Sequence, residues 1–318
     1  MKKTLIALAV LGTFAGAASA QSSVTLYGYG DIGVGKSVAP SGGTNGVQVN
    51  PSLADVAGVR VGLKGTEDLG GGMSASYQLE SNAYSGDTGA GDGGYGRATW
   101  FGLGGSFGTV KIGRQARQSV IAAVAFSPAG WRGSDSQAAA GVRYSINNNV
   151  GVSSRQSSEI SYTTPNMGGV VGRLGYETKQ DGGVGSVVDM GVNASFGPIG
   201  LGLGYIKQQT KAGNYGIHAS YDLGAVKLMA GHAKVGAGGP DTVAVKGNSF
   251  GFTAPIGAVG LFGEISKSDR PTLANGAGNS AMELGADYNL SKRTALTGAI
   301  AKTKGLSMGY YAGIRHSF

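Results

Sequence analysis

Apolar and polar residues alternate along most of this chain. In 59–64, Val59, Val61 and Leu63 alternate with Arg60, Gly62 and Lys64. In 73–80, Met73, Ala75, Tyr77 and Leu79 oppose Ser74, Ser76, Gln78 and Glu80. Residues 188–196 and 282–290 repeat the rhythm, with Asp189, Asn193, Glu283 and Asp287 on the polar side. Successive side chains of a strand point to opposite sides, so each segment has one apolar and one polar face. The pattern persists from end to end, which a disordered chain would lack. It predicts an all-β protein.

The links between these segments come in two lengths. Short turns are expected at 68–72, 105–108, 165–169, 196–200, 222–225, 254–257 and 290–293. Longer polar stretches lie near 37–57, 84–96, 116–154, 181–186, 210–213, 237–247, 269–280 and 303–306. Seven short and eight long links join sixteen strands, with both termini on the short-turn side. One segment departs from strict alternation: Trp100 and Phe101 are adjacent within 97–103. A β-bulge there is expected to restore the phase.

A soluble sandwich also alternates, but its core packs large apolar side chains between two sheets. Here the apolar face is aliphatic in mid-strand, with Tyr77, Tyr176, Tyr215, Tyr221, Tyr288 and Tyr310 near strand ends. The polar face carries charge and glycine. That combination suits a lipid-facing band with aromatic girdles around a wet interior. The fold class expected is a 16-stranded antiparallel transmembrane β-barrel. The longest later apolar run, Val120 to Phe126, is too short for a membrane-spanning helix, which needs about 20 residues. A mean hydropathy of −0.01 fits a wall that is half greasy and half wet.

Residues 1–20 read as an export signal. Lys2 and Lys3 precede an apolar run from Leu5 to Phe14, and Ala18-Ser19-Ala20 offers a cleavage site. The barrel would then occupy 21–318. Cysteine is absent, so a chain bound for an oxidising compartment must be held by other means, such as closed backbone pairing. The formal charge is +8, and removing Lys2 and Lys3 leaves 8 − 2 = +6. The cations are spread singly along strands rather than in runs, which favours a lined channel and argues against nucleic acid.

Catalytic signals are missing. Gly28-Tyr29-Gly30-Asp31-Ile32-Gly33 matches a dinucleotide pattern but lies in an alternating strand and opens no helix. His218, His232 and His316 fall on different predicted strands at no metal-ligand spacing. No activated nucleophile is visible. We therefore expect neither an enzyme nor a cofactor or metal.

Residues 24–33 (VTLYGYGDIG), 58–72 (GVRVGLKGTEDLGGG), 102–115 (GLGGSFGTVKIGRQ), 160–169 (ISYTTPNMGG), 286–293 (ADYNLSKR) and 313–318 (GIRHSF) resemble the general bacterial porins. The likeness is greatest to the β-proteobacterial branch and covers the whole mature chain. It implies a homotrimer set in outer-membrane lipid and lipopolysaccharide, with an inward-folded third loop narrowing each pore. It implies that Phe318 is the aromatic read by the barrel-assembly machinery. The function implied is a non-specific or weakly selective diffusion channel for ions and small hydrophilic solutes, anionic or neutral. The residues agree on the loop: 116–154 is the third long link, and its apolar run suits a short helix against the inner wall.

Charge is expected to set selectivity. Arg60, Arg97 and Arg155 match the wall arginines that line the constriction in similar porins. Lys64, Lys111, Arg173 and Arg315 fall on lumen faces by alternation, as does Glu159. Tyr29 stands where many relatives carry another basic residue. Asp135 is the sole carboxylate of the 116–154 link, which also carries Arg117, Arg132 and Arg143. An eyelet of Arg60, Arg97 and Arg155 facing Arg117, Arg132 and Asp135 would prefer anions. The other lumen carboxylates are expected to be spread around the barrel. Arg114, two residues beyond Ile112, is expected on the lipid side, against headgroups or against Asp87 or Asp92 of a neighbouring subunit. Tyr27, Tyr29 and Tyr311 are too scattered to suggest an aromatic track.

Overall fold

The computed structural model describes residues 23–36, 47–50, 59–84, 96–128, 155–178, 185–209, 211–236, 244–269 and 279–318. Along the chain these form β1 (Ser23–Lys36), β2 (Gln48–Asn50), β3 (Val59–Gly70), β4 (Met73–Tyr84), β5 (Ala98–Gly105) and β6 (Gly108–Ala116). A helix, α1 (Gln118–Val124), precedes β7 (Arg155–Thr163), β8 (Val170–Glu177), β9 (Val187–Phe196), β10 (Ile199–Gln208) and β11 (Asn214–Asp222). The remainder are β12 (Lys227–Val235), β13 (Val245–Ile256), β14 (Val259–Ser268), β15 (Ser280–Asn289), β16 (Thr294–Thr303) and β17 (Met308–Ser317). The expected signal at 1–20 lies outside the described residues.

The three-residue β2 pairs with Gly33–Gly35 of β1 and belongs to the first long link. The other sixteen strands make the wall, each antiparallel to its neighbours, as the alternation predicted. Closure falls on β1. Its first half pairs with β3, from Ser23↔Thr66 to Tyr29↔Arg60, and its second half pairs with β17, from Tyr29↔Ser317 to Lys36↔Tyr310. Gly28 and Phe318 exchange backbone hydrogen bonds of 3.0 and 3.1 Å beside that seam. The sheet therefore keeps no open edge, the condition for strands to cross a membrane.

Burial is inverted relative to a soluble protein. Ile112, Ile160, Leu174, Leu203 and Ile217 are exposed on the outside, whereas Asp31, Glu159 and Asp189 are buried inside. Tyr221 and Tyr288 stand outside near the short turns, and Tyr176 and Tyr310 near the opposite ends. Aliphatic residues between two tyrosine belts form the band that hydrocarbon would cover.

The bulge expected in 97–103 is not there. β5 pairs without a shift against both β4 and β6. Alternation holds because Trp100 points into the lumen while Phe101, 64% exposed, points out. An aromatic can occupy the polar face when its N–H has a partner, and Trp100 Nε1 donates to Gln78 Oε1 at 3.2 Å. Register shifts lie instead where β6 meets β7, between Gly113 and Gln115, and at both ends of the β3–β4 pairing. Gly113 has φ 127° there, a backbone that side chains rarely adopt.

Helix α1 begins two residues before the expected apolar run and lies on the inner faces of β9 and β10. Asp189 fixes its start, accepting the backbone N–H groups of Gln118 and Ser119. Gln118 Nε2 donates to Glu159 Oε1 at 2.6 Å, and Asn193 Nδ2 donates to the Ala122 carbonyl at 3.0 Å. Glycine makes the floor: a Cβ at Gly191 would overlap the Gln118 carbonyl, and one at Gly202 the Phe126 ring. Residues 129–154, the rest of this link, lie outside the described residues.

Candidate functional site

The lumen wall is built by parity. On β3, Val61 faces out, so Arg60 and Lys64 face in with Gly62. On β4, Gln78 and Glu80 share that side with the Tyr27 hydroxyl, which donates to Glu80 Oε2 at 2.7 Å and accepts from Gln78 Nε2 at 2.6 Å. Arg97 sits just before β5, its N–H bonded to the Glu80 carbonyl at 3.0 Å and its side chain ion-paired to the Glu80 carboxylate. The Arg60 guanidinium lies 4.6 Å over the Tyr29 ring. Arg155, where β7 re-enters the wall, is within electrostatic reach of Arg97, Arg60, Arg114 and Glu80. The three arginines assigned to the constriction are therefore brought together, with the Glu80 carboxylate among them.

A second group of cations lies nearer the short turns. Lys64 Nζ is 5.2 Å over the Tyr27 ring, and Lys111 Nζ is 3.9 Å over the Trp100 ring. Arg173 on β8 is within electrostatic reach of Lys111 and donates to Asn193 Oδ1 at 2.6 Å. Contacts of this kind contribute about 0.5–1 kcal/mol each where solvent reaches them. Their larger effect is to hold long cationic side chains against the wall.

Two expected pore-liners are displaced. Arg117 is fully buried under α1, with Nη2 3.2 Å from Glu177 Oε2, and does not face the opening. Glu159 is 1% exposed and is covered by Gln118. Both lie where the lumen-side wall is roofed by the helix, so the inward face there is not the wet face. Arg315 does face in, but it is paired to Asp287 at 3.1 Å. Arg132, Asp135 and Arg143 lie outside the described residues.

The lumen carboxylates are spread around the barrel, on β1, β4, β7, β8, β9, β14 and β15, and several have local partners. Glu159, Glu177 and Asp189 lie under or beside α1, and Glu80 holds Arg97. Asp31 accepts from the Tyr311 hydroxyl on the β1–β17 side, and Glu264 and Glu283 are register partners on β14 and β15. Inward cations cluster from β3 to β8, where Glu80, Glu159 and Glu177 also lie, whereas Asp31, Glu264, Glu283 and Asp287 stand on β1, β14 and β15. Sequence reasoning missed Trp100, whose position in the polar phase of β5 was the available signal.

Arg114 is half-buried in the outer phase of β6, opposite the exposed Thr99, with Nε donating to the Gly96 carbonyl and Nη1 to Ser157 Oγ at 2.7 Å. Its expected subunit partners, Asp87 and Asp92, lie outside the described residues. The histidines stay apart, His218 stacked on Phe126, His232 bonded to Asn248 and His316 to Thr294.

Comparison with known proteins agrees with this geometry. A family model described as Gram-negative porin matches residues 7–306. Outer membrane porin protein 32 of Delftia acidovorans is 34% identical over 347 residues, covering 98% of this chain and 95% of that protein. An outer membrane porin protein of Bordetella pertussis is 31% identical over the full length of both chains. Among solved structures, the anion-selective porin from Comamonas acidovorans matches with a TM-score of 0.75 at 26% identity, covering 94% of this chain and all of that one.

Proposed function

Because this chain belongs to the Gram-negative porin family, we propose that its diffusion pore prefers anions and works as a homotrimer. The protein is a multi-pass outer-membrane β-barrel and a channel for small hydrophilic solutes. The convergence of Arg60, Arg97 and Arg155 carries the proposal: Arg155 lies within electrostatic reach of both other arginines, and Glu80 is ion-paired to Arg97 among them. Walls of low dielectric focus such a field and raise the local concentration of counter-ions. The Comamonas acidovorans porin, a structural neighbour, is itself described as anion-selective.

Passage needs no covalent chemistry. A hydrated solute entering the lumen meets the arginine cluster at β3, β5 and β7, and α1, packed on the inner faces of β9 and β10, takes up part of the open section. Anions would track Arg60 and Arg155, then Lys64 and Lys111; neutral solutes would pass by size. Residues 1–20 would direct export, and Phe318, bonded to Gly28, would serve assembly by the outer-membrane insertion machinery. The deciding measurement is the reversal potential in planar bilayers under a tenfold KCl gradient. Anion selectivity is expected for the wild type, with a shift toward cations in Arg60→Ala and Arg155→Ala. Cation selectivity in the wild type would overturn the proposal.

A further inference from the structure

Between α1 and the barrel wall, toward the short turns, lies a cavity of about 450 Å³. Ile121, Ala125 and Phe126, from the helix and the turn after it, form its apolar side. Arg173, Ser195 and Lys227, from β8, β9 and β12, form its polar side. None of its lining residues is acidic. Asp222, the register partner of Lys227, is not part of the lining. Two cations from well-separated strands therefore border one partly open space without a carboxylate among its described lining residues.

The geometry of Arg173 is preset. Asn193 accepts from Arg173 Nη1 at 2.6 Å and donates to the Ala122 carbonyl at 3.0 Å. This amide links the helix backbone to the guanidinium, engages one donor and fixes the plane of the fork. Lys111 adds positive potential from the neighbouring wall. A cavity of this size, mostly apolar with a few placed polar groups, is typical of small-molecule sites, including those in barrel mouths. A bare ion would gain nothing from Ile121 and Phe126, and an uncharged apolar solute nothing from Arg173 and Lys227.

We propose that this cavity is a binding subsite for small amphipathic anions, a carboxylate on a compact apolar body, which dwell there while crossing the pore. The inference rests on the lumen being a solute path and adds a chemical preference to it. Benzoate is the probe, with acetate, benzyl alcohol and benzylammonium as comparators, in single-channel recordings with KCl as carrier. Benzoate should interrupt the current in a concentration-dependent way, more strongly than any comparator. Arg173→Gln and Lys227→Gln should each weaken that block about tenfold, the loss of one charge-assisted contact. Both variants should keep the heat-modifiable mobility of the wild type in detergent, which shows that the barrel is folded. Equal block by acetate, benzyl alcohol or benzylammonium would overturn the subsite, as would benzoate block undiminished in both variants. Absent block with an anion-selective KCl reversal potential would remove the subsite alone. Cation selectivity would instead strike at the diffusion reading on which it rests.

Discussion

Arg97 and Glu80 form an ion pair across the β4–β5 hairpin, with both side chains only 9% exposed. The pair offsets one of the three arginines of the cluster. Glu80→Gln should release the Arg97 charge and move the reversal potential further toward the anion limit. Breaking a buried pair from one side costs about 3–5 kcal/mol, so the same variant should lose its fold at lower urea. A reversal potential unchanged from wild type would show that Arg97 does not act on passing ions.

The seating of α1 depends on missing side chains. Gly202→Val would drive a methyl-bearing carbon into the Phe126 ring, and Gly191→Ala would press on the Gln118 carbonyl. Either should lift the helix from the wall, making the 116–154 link more sensitive to protease and the open-channel current noisier. Gly260→Ala is the control, because an added Cβ there meets nothing within 4 Å. Identical digestion of all three variants would refute the packing argument.

Arg114 is bonded within its own barrel, to Gly96 and Ser157. Arg114→Ala should therefore destabilise each barrel by about 1–3 kcal/mol without selectively dissociating subunits. Heat-modified mobility in detergent separates the two effects. Loss of oligomer with no change in the unfolding of the single barrel would favour the subunit contact instead.

At the seam, a Cβ on Gly28 would overlap the Phe318 ring. Gly28→Val should lower the yield of folded barrel, measured as the heat-modifiable fraction after refolding into detergent. Phe318→Ala in the same background should recover part of it, since the clash is with the ring. No recovery would place the defect in the backbone pairing instead.

Strand number, face and order were legible because a membrane barrel imposes a period of two on every wall segment, with lipid on one side. Trp100 shows where that reading strained: two adjacent aromatics suggested a slip, yet each obeys the period, one outward and one bonded to Gln78. Arg117 and Glu159 show its limit. Alternation tells which way a side chain points, but not whether a helix covers that face, and both residues are roofed by α1. The pairing of Arg97 with Glu80 was similarly hidden, because Arg97 precedes its strand and is set by the β4 neighbour. Arg60 was placeable on the inner face because Val61 and Gly62 beside it have clear phase, whereas the register shift between Gly113 and Gln115 interrupts the phase next to Arg155.

The split pairing of β1 bears on the order of events in folding. Every other wall contact joins strands adjacent along the chain and can form as a local hairpin. The β1–β17 seam joins positions as distant as Asp31 and Tyr311, 280 residues apart. Closing a long loop costs entropy that no earlier contact has repaid, and such topologies fold slowly. Until closure, β17 and the second half of β1 each present a row of vacant backbone groups, a template for pairing with the wrong chain. A barrel of this design is thus most exposed to aggregation just before it is complete, and whatever shields it in transit must hold those two strands apart from other copies until they meet.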